Sequence, residues 1–196
     1  MTTTDDQIAR TAPTARRGGV PSRLHHDAYV TRDQEATRHF YEDILGIPLI
    51  ATWREIDELF GKERAYCHTF FGLGENGSGG ALAFFQFEEQ DQDEFEPVEQ
   101  TSPFIHVALN VDEETQEGIK ERLAAAGYVD PDVWSIDHGY CVSMYVRDPV
   151  NGVRLEFTVD RPEVEQINAQ RLGDAHAELK RWLGGDHSSN NTYRPE

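Results

Sequence analysis

Residues 24–46 read LHHDAYVTRDQEATRHFYEDILG, and residues 104–127 read FIHVALNVDEETQEGIKERLAAAG. Each stretch opens on a short strand that carries a histidine, His26 in the first and His106 in the second. Each then passes through a polar turn into an amphipathic helix. The helices end at Gly46 and Gly127, and glycine is the residue that most readily takes the left-handed conformation of a helix C-cap. Ala36, Phe40, Ile44 and Leu45 fall at helical spacing in the first copy, and Ile119, Leu123 and Ala126 in the second. A supersecondary unit that recurs in this way predicts a repeated module.

Strand-like segments follow both helices, at 47–52, 66–71 and 81–87 and again at 133–136, 141–147 and 153–159. The last strand of each half comes after a glycine turn, GSGG and then DPVNG. The tally is strand–helix–strand–strand–strand, twice. It predicts an α+β chain with a single domain at 22–160, built of two βαβββ modules (22–88 and 102–160) that form a cupped mixed sheet. Between the modules, residues 88–100 hold seven acids and no base, which reads as a solvated connection. Residues 1–21 show no period and read as a disordered or loosely docked arm. A C-terminal helix is expected at 161–184, with Pro162 in its first turn, and a flexible tail at 185–196. The helix carries an apolar stripe at Val164, Ile167, Leu172, Ala175, Leu179 and Leu183. That stripe either covers its own domain or meets a second copy, and a homodimer is expected.

The whole chain has 196 residues, a length for one domain or two small fused modules. Its 36 acidic and 18 basic residues give a formal charge of −18, which repels nucleic-acid phosphates and anionic membranes and so argues against both as partners. No apolar run approaches the roughly 20 residues that span a bilayer, and the N-terminus has no apolar signal segment. Cys67 and Cys141 are too few for a disulfide framework and fit a reducing cytoplasm.

Three residues stand at matching places in the repeat. His26 and His106 lie on the first strand of each module, and Glu156 on the last strand of the second. Strand alternation puts His106, Ala108 and Asn110 on one face, and Arg154, Glu156 and Thr158 on one face of the last strand. Two neutral imidazoles and a carboxylate make a facial set for a divalent metal such as Fe(II), with positions left open for substrate or dioxygen. His25 has the opposite parity and reads as a surface residue. His39, His68, His176 and His187 read as structural or solvated.

The stretches HHDAYVTRD, HFYEDILGIPL, GGALAFFQFEE, FIHVALNV and YVRDPVNGVRLEF resemble the vicinal oxygen chelate superfamily, which unites glyoxalases, bleomycin-resistance proteins and extradiol dioxygenases. The resemblance covers about 24–160. It implies paired βαβββ modules around a metal, held by His26, His106 and Glu156. The final turn, Asp148 to Gly152, is one residue longer than the family's Asp-Pro-x-Gly, yet Glu156 keeps its place four residues after the glycine. Counted in the same way from Gly80, the first module's counterpart of Glu156 is Phe84. That residue replaces the second carboxylate of glyoxalase I-like members, with Gln86 a weak substitute. The resemblance therefore implies a three-ligand, oxygenase-like site in which His138 and Tyr145 are the acid–base and substrate-bonding residues. Tyr140, Trp134, Phe84 and Phe85 are candidates for an aromatic pocket.

The leading expectation is a mononuclear non-haem Fe(II) enzyme of extradiol dioxygenase type, acting on a catechol-like or other vicinal-oxygen small molecule, with Mn(II), Zn(II) or Ni(II) as alternative metals. The alternatives are metal-dependent glyoxalase-like lyase, isomerase or epimerase chemistry, and a metal-free protein that sequesters an antibiotic or other small molecule. The last needs no metal, so the presence of both histidines and Glu156 argues against it.

Overall fold

The computed structural model describes residues 21–97, 102 and 104–194. All but the last residue of the N-terminal arm read at 1–21 lies outside them. The first module runs β1 (His26–Val30), α1 (Gln34–Arg38) with a π-helical continuation (His39–Ile44), β2 (Leu49–Leu59), β3 (Lys62–Leu73) and β4 (Gly80–Phe87). A short helix α2 (Glu89–Gln92) follows. The second module runs β5 (Val107–Asn110), α3 (Glu113–Ala125), β6 (Val133–Asp137), β7 (Cys141–Arg147) and β8 (Arg154–Asp160), and α4 (Val164–Leu183) closes the chain. Each module is a four-stranded mixed sheet, and the two orders correspond strand for strand, β1-β4-β3-β2 and β5-β8-β7-β6. The repeat in the sequence is thus a repeat in space.

Local chemistry starts both helices alike. The side chain of Asp33 accepts from the Ala36 N–H, and that of Asp112 accepts from the Thr115 N–H at 2.8 Å, each satisfying a donor that the helix itself leaves open. Gly46 and Gly127 end the helices with φ of 80° and 92°. The helix-bearing faces of the two sheets share one core. Tyr41, Phe71, Leu82 and Phe84 of the first module pack with Ile119, Leu123, Met144, Leu155 and Phe157 of the second. Arg122 of α3 donates to the carbonyls of Ile44 and Leu45, so the second module caps the first module's helix. Because the helices lie between the sheets, the other face of each sheet looks away from this core.

The 88–100 segment, read as solvated, docks instead. Asp91 is buried and pairs with Lys62, Glu94 pairs with Arg64, and Glu96 pairs with Arg32. The bases that neutralise it lie on the first module, most of them on β3. On α4 only Ile167 of the predicted stripe is buried, whereas Leu172, Leu179 and Leu183 are exposed. No described helix is long and apolar enough to cross a membrane.

The turn between β7 and β8 joins the modules. The Asp148 carboxylate accepts from the N–H groups of Val150 (2.7 Å) and Asn151 (3.1 Å), from the Asn151 amide (2.9 Å) and from the Tyr41 hydroxyl (3.1 Å). Burial pushes its pKa above the ordinary carboxylate range, against these stabilising bonds. Asp148→Ala leaves the fully buried Tyr41 hydroxyl without its acceptor. We expect it to lower unfolding free energy by about 3 kcal/mol, measurable by urea denaturation. A loss within about 0.5 kcal/mol, the range of ordinary surface changes, would show that the turn holds without it.

Candidate metal centre

Strand register sets the site. On the open face of the second sheet, Ala108, Glu156, Tyr145 and Trp134 form one row across β5, β8, β7 and β6. Val153, Leu155 and Phe157 point the other way into the core. Glu156 is therefore a carboxylate built into a buried strand, 7% exposed, and both its oxygens are engaged. One lies 2.8 Å from His106 Nε2 and the other accepts from the Thr158 hydroxyl at 3.1 Å. Thr158 in turn meets Ser143 at 3.2 Å.

Tyr145 sits beside this pair. Its ring stacks on Trp134 at 5.3 Å between centroids and stands edge-on to His106 at 6.1 Å. Its hydroxyl is 3.0 Å from His138 Nε2. Burial, reinforced by the neighbouring Glu156, pushes the Tyr145 pKa up to about 12. Near neutrality it is thus a hydrogen-bond donor and not a base. His106, Glu156, Tyr145 and His138, four residues expected from the sequence, form one continuous array on this face.

His26 is not part of that array. It lies on the open face of the first sheet, where its Nδ1 is 2.7 Å from His25 Nδ1 and its ring packs against Phe70 (5.6 Å) and His68 (6.2 Å). Among the described residues, no three His, Cys, Asp or Glu side chains are close enough together to hold a metal ion. The cause is the shared helical core, which turns the two histidine-bearing faces outward.

His68 is the residue that sequence reading set aside. It shares the face of His26, stacks on Phe85 at 3.5 Å, and keeps a buried Nε2 without a hydrogen-bond partner. Burial lowers its pKa, so the ring favours the neutral form. The available signal was parity: Tyr66, His68 and Phe70 alternate with the core-facing Thr69 and Phe71.

Phe84 needs correction. It is fully buried and faces Tyr41 and Tyr29 in the core, on the opposite side of the sheet from His26, and so lies far from any metal on the open face. Counting from Gly80 misses by one residue. In the second module the partner of Ala108 is Glu156; in the first, the partner of Ala28 is Ala83. Ala83 is the true counterpart, and it carries no donor. Gln86 lies on the core side too and is occupied: its amide donates to the Arg32 carbonyl and its oxygen accepts from the Gln34 N–H. The expected aromatic pocket divides accordingly, with Trp134 and Tyr140 near the array and Phe85 on the other sheet.

The donors fit a divalent cation in part. His106 Nε2 and Glu156 lie 2.8 Å apart, close to the roughly 3 Å edge between neighbouring ligands of an octahedral site with bonds of about 2.1 Å. Among the described residues, no third His, Cys, Asp or Glu side chain stands close enough to these two to complete the set.

Residues 23–157 match the family described as the glyoxalase/bleomycin resistance protein/dioxygenase superfamily. Among solved structures, the trypanothione-dependent glyoxalase I of Leishmania major is similar with a TM-score of 0.54 and 19% identity, covering 80% of this chain and 99% of that one. The genomically encoded fosfomycin resistance protein FosX of Listeria monocytogenes has a TM-score of 0.50 and 17% identity, covering 76% of this chain and 98% of that one. The search of curated proteins found no match.

Proposed function

This chain belongs to the glyoxalase/bleomycin resistance protein/dioxygenase superfamily, and from that premise we propose a divalent-metal enzyme of extradiol dioxygenase type whose site is shared between two copies of the chain. His106 and Glu156 of one copy and His26 of the partner subunit would hold the cation, with Fe(II) the leading choice. The observation that carries the proposal is the His106–Glu156–Tyr145–His138 array on a face directed away from its own first module. Two-fold pairing that sets the first sheet of each copy on the second sheet of the other supplies the missing histidine twice. Exposed Trp53 on the His26 face (58% exposed) is apolar surface of the kind such pairing covers.

When bound, the cation would supply Lewis acidity that lowers the pKa of a chelated hydroxyl, and open positions for dioxygen. The protein's part follows from its own groups. Glu156 contributes the single negative charge among the three donors. Tyr145, kept protonated, donates a hydrogen bond to a substrate oxygen, and His138 at 3.0 Å holds or returns that proton. His68, neutral and with a vacant nitrogen, would bring a second proton acceptor from the sheet that carries His26. Trp134 excludes water over one side of Tyr145.

Ala83 favours oxygenase over glyoxalase-type chemistry, because the position opposite Glu156 in the first module has no carboxylate to act as a fourth ligand. Oxygen uptake by Fe(II)-loaded protein against a panel of catechols tests this reading, with dioxygen consumed in step with ring opening as the expected result. Ala83→Glu should retain metal while cutting uptake at least about tenfold by filling a position that dioxygen needs. No uptake with any catechol, alongside turnover of a thiol-adduct or epoxide substrate, would transfer the site to lyase or transferase chemistry.

A further inference from the structure

The family match ends at residue 157; α4 and the residues after it lie beyond it. They nevertheless build a cavity of about 270 Å³ beside the candidate site, bounded by Tyr140, Ile167, Asn168, Arg171, Asn191 and Tyr193. Ile167, 6% exposed, is its apolar floor. The tail that walls it is hydrogen-bonded to the domain and to α4. Asn191 donates its amide to the His138 carbonyl at 2.9 Å and accepts from the Tyr193 N–H at 3.2 Å, and the Tyr193 hydroxyl donates to Gln170 at 2.8 Å. Gly139 makes this passage possible, since a Cβ there would stand 2.1 Å from the Tyr193 carbonyl carbon.

Three of the polar side chains along its wall keep a group that can donate. The Arg171 Nε is buried with no hydrogen-bond partner. The Asn168 amide and Tyr140 hydroxyl also make no side-chain hydrogen bond among the described residues. A buried N–H of a guanidinium left unpaired is costly, and native proteins supply an acceptor for such groups. Asp174 of the same helix lies 3.3 Å from a terminal Arg171 nitrogen and leaves Nε without a partner. One cation, two neutral donors and an apolar floor suit a carboxylate on a short apolar body. The cavity also adjoins the array: Tyr140 lies 6.1 Å from the His138 ring, and the tail that walls the cavity holds the His138 carbonyl.

We infer that this cavity is a carboxylate-binding subsite anchored by Arg171, so that the substrate of the neighbouring centre is an organic acid with its vicinal oxygens at the other end. The subsite stands on its own donors; only its assignment to the substrate rests on the function proposed above. Benzoate titrated into the metal-free full-length protein, followed by NMR, tests it, with benzamide as the uncharged isostere. Benzoate should move the resonances of Arg171, Asn168 and Asn191, and benzamide at equal concentration should not. Arg171→Leu should weaken benzoate at least about tenfold, the scale of a lost charge-assisted hydrogen bond, and Arg171→Lys should recover part. Asn168→Leu, which fills the cavity without touching the cation, should weaken it too and carries the test if Arg171→Leu does not fold. Equal binding of benzoate and benzamide, or a wild-type titration in both leucine variants, would overturn the subsite. Benzoate binding that persists in a protein whose metal content is indifferent to Glu156→Gln would leave the subsite standing and remove the metal centre.

Discussion

Glu156→Gln should reduce the affinity for divalent metal by at least about a hundredfold, with catalysis lost in proportion. The carboxylate is the only anion among the three proposed donors, and the substitution replaces it with a neutral amide of nearly equal size. Strand β8 holds the position, with Leu155 and Phe157 locked in the core on either side, so the fold should survive and the effect should be chemical. The neighbouring Thr158 provides an internal scale. Its hydroxyl donates to Glu156 at 3.1 Å, and Thr158→Val removes an orienting bond without removing a ligand. Outer partners of this kind are typically worth roughly 10–100-fold in metal affinity, so Thr158→Val should fall between wild type and Glu156→Gln. Elemental analysis of the three proteins purified alike reads the order directly. Equal metal in all three would remove Glu156 from any metal site.

The repeat was legible because both copies use the same local chemistry. Asp33 and Asp112 start the helices, Gly46 and Gly127 end them, and the histidine-bearing strands precede them. The parity of β8 correctly placed Glu156 on the face of Ala108. What failed was a one-residue count. Side chains alternate with period two along a strand, so taking Gly80 as the equivalent of Gly152 moved the counterpart of Glu156 from Ala83 on the open face to Phe84 in the core. The β2–β3 arm was also longer than its pattern suggested. It turns at Phe60 and Gly61, both with positive φ; β2 is exposed along most of its length, and the covered outer position of β3 is the charged Arg64, which lies under the acidic segment. The apolar alternation that marks a half-buried strand is therefore missing there. The docking of the acidic segment was hidden because its partners are distant in sequence, Lys62 by 29 residues and Arg32 by 64. Above all, periodicity tells which residues share a face and not which faces meet. The histidine equivalence was readable, whereas the outward direction of the two faces depends on Tyr41, Phe84, Leu123 and Phe157 sharing one core.

The second large effect follows from that arrangement. His26→Ala and Glu156→Gln should each be inactive alone, because each homodimer lacks one ligand at both sites. Mixed dimers behave differently if the site is shared. One interface then combines both defects, and the other combines an intact His26 with an intact His106 and Glu156. Random reassembly makes half the dimers mixed, each with one intact site in two, so about a quarter of the wild-type sites return. A site held within one chain gives no recovery, since every chain carries a defect. The direct measurement is metal content and oxygen uptake of differently tagged His26→Ala and Glu156→Gln chains, dissociated, mixed and purified through both tags. A shared centre predicts that this doubly purified dimer binds about one metal per dimer and regains about half the wild-type activity, whereas a mixed dimer as empty and inactive as its parents would contradict it.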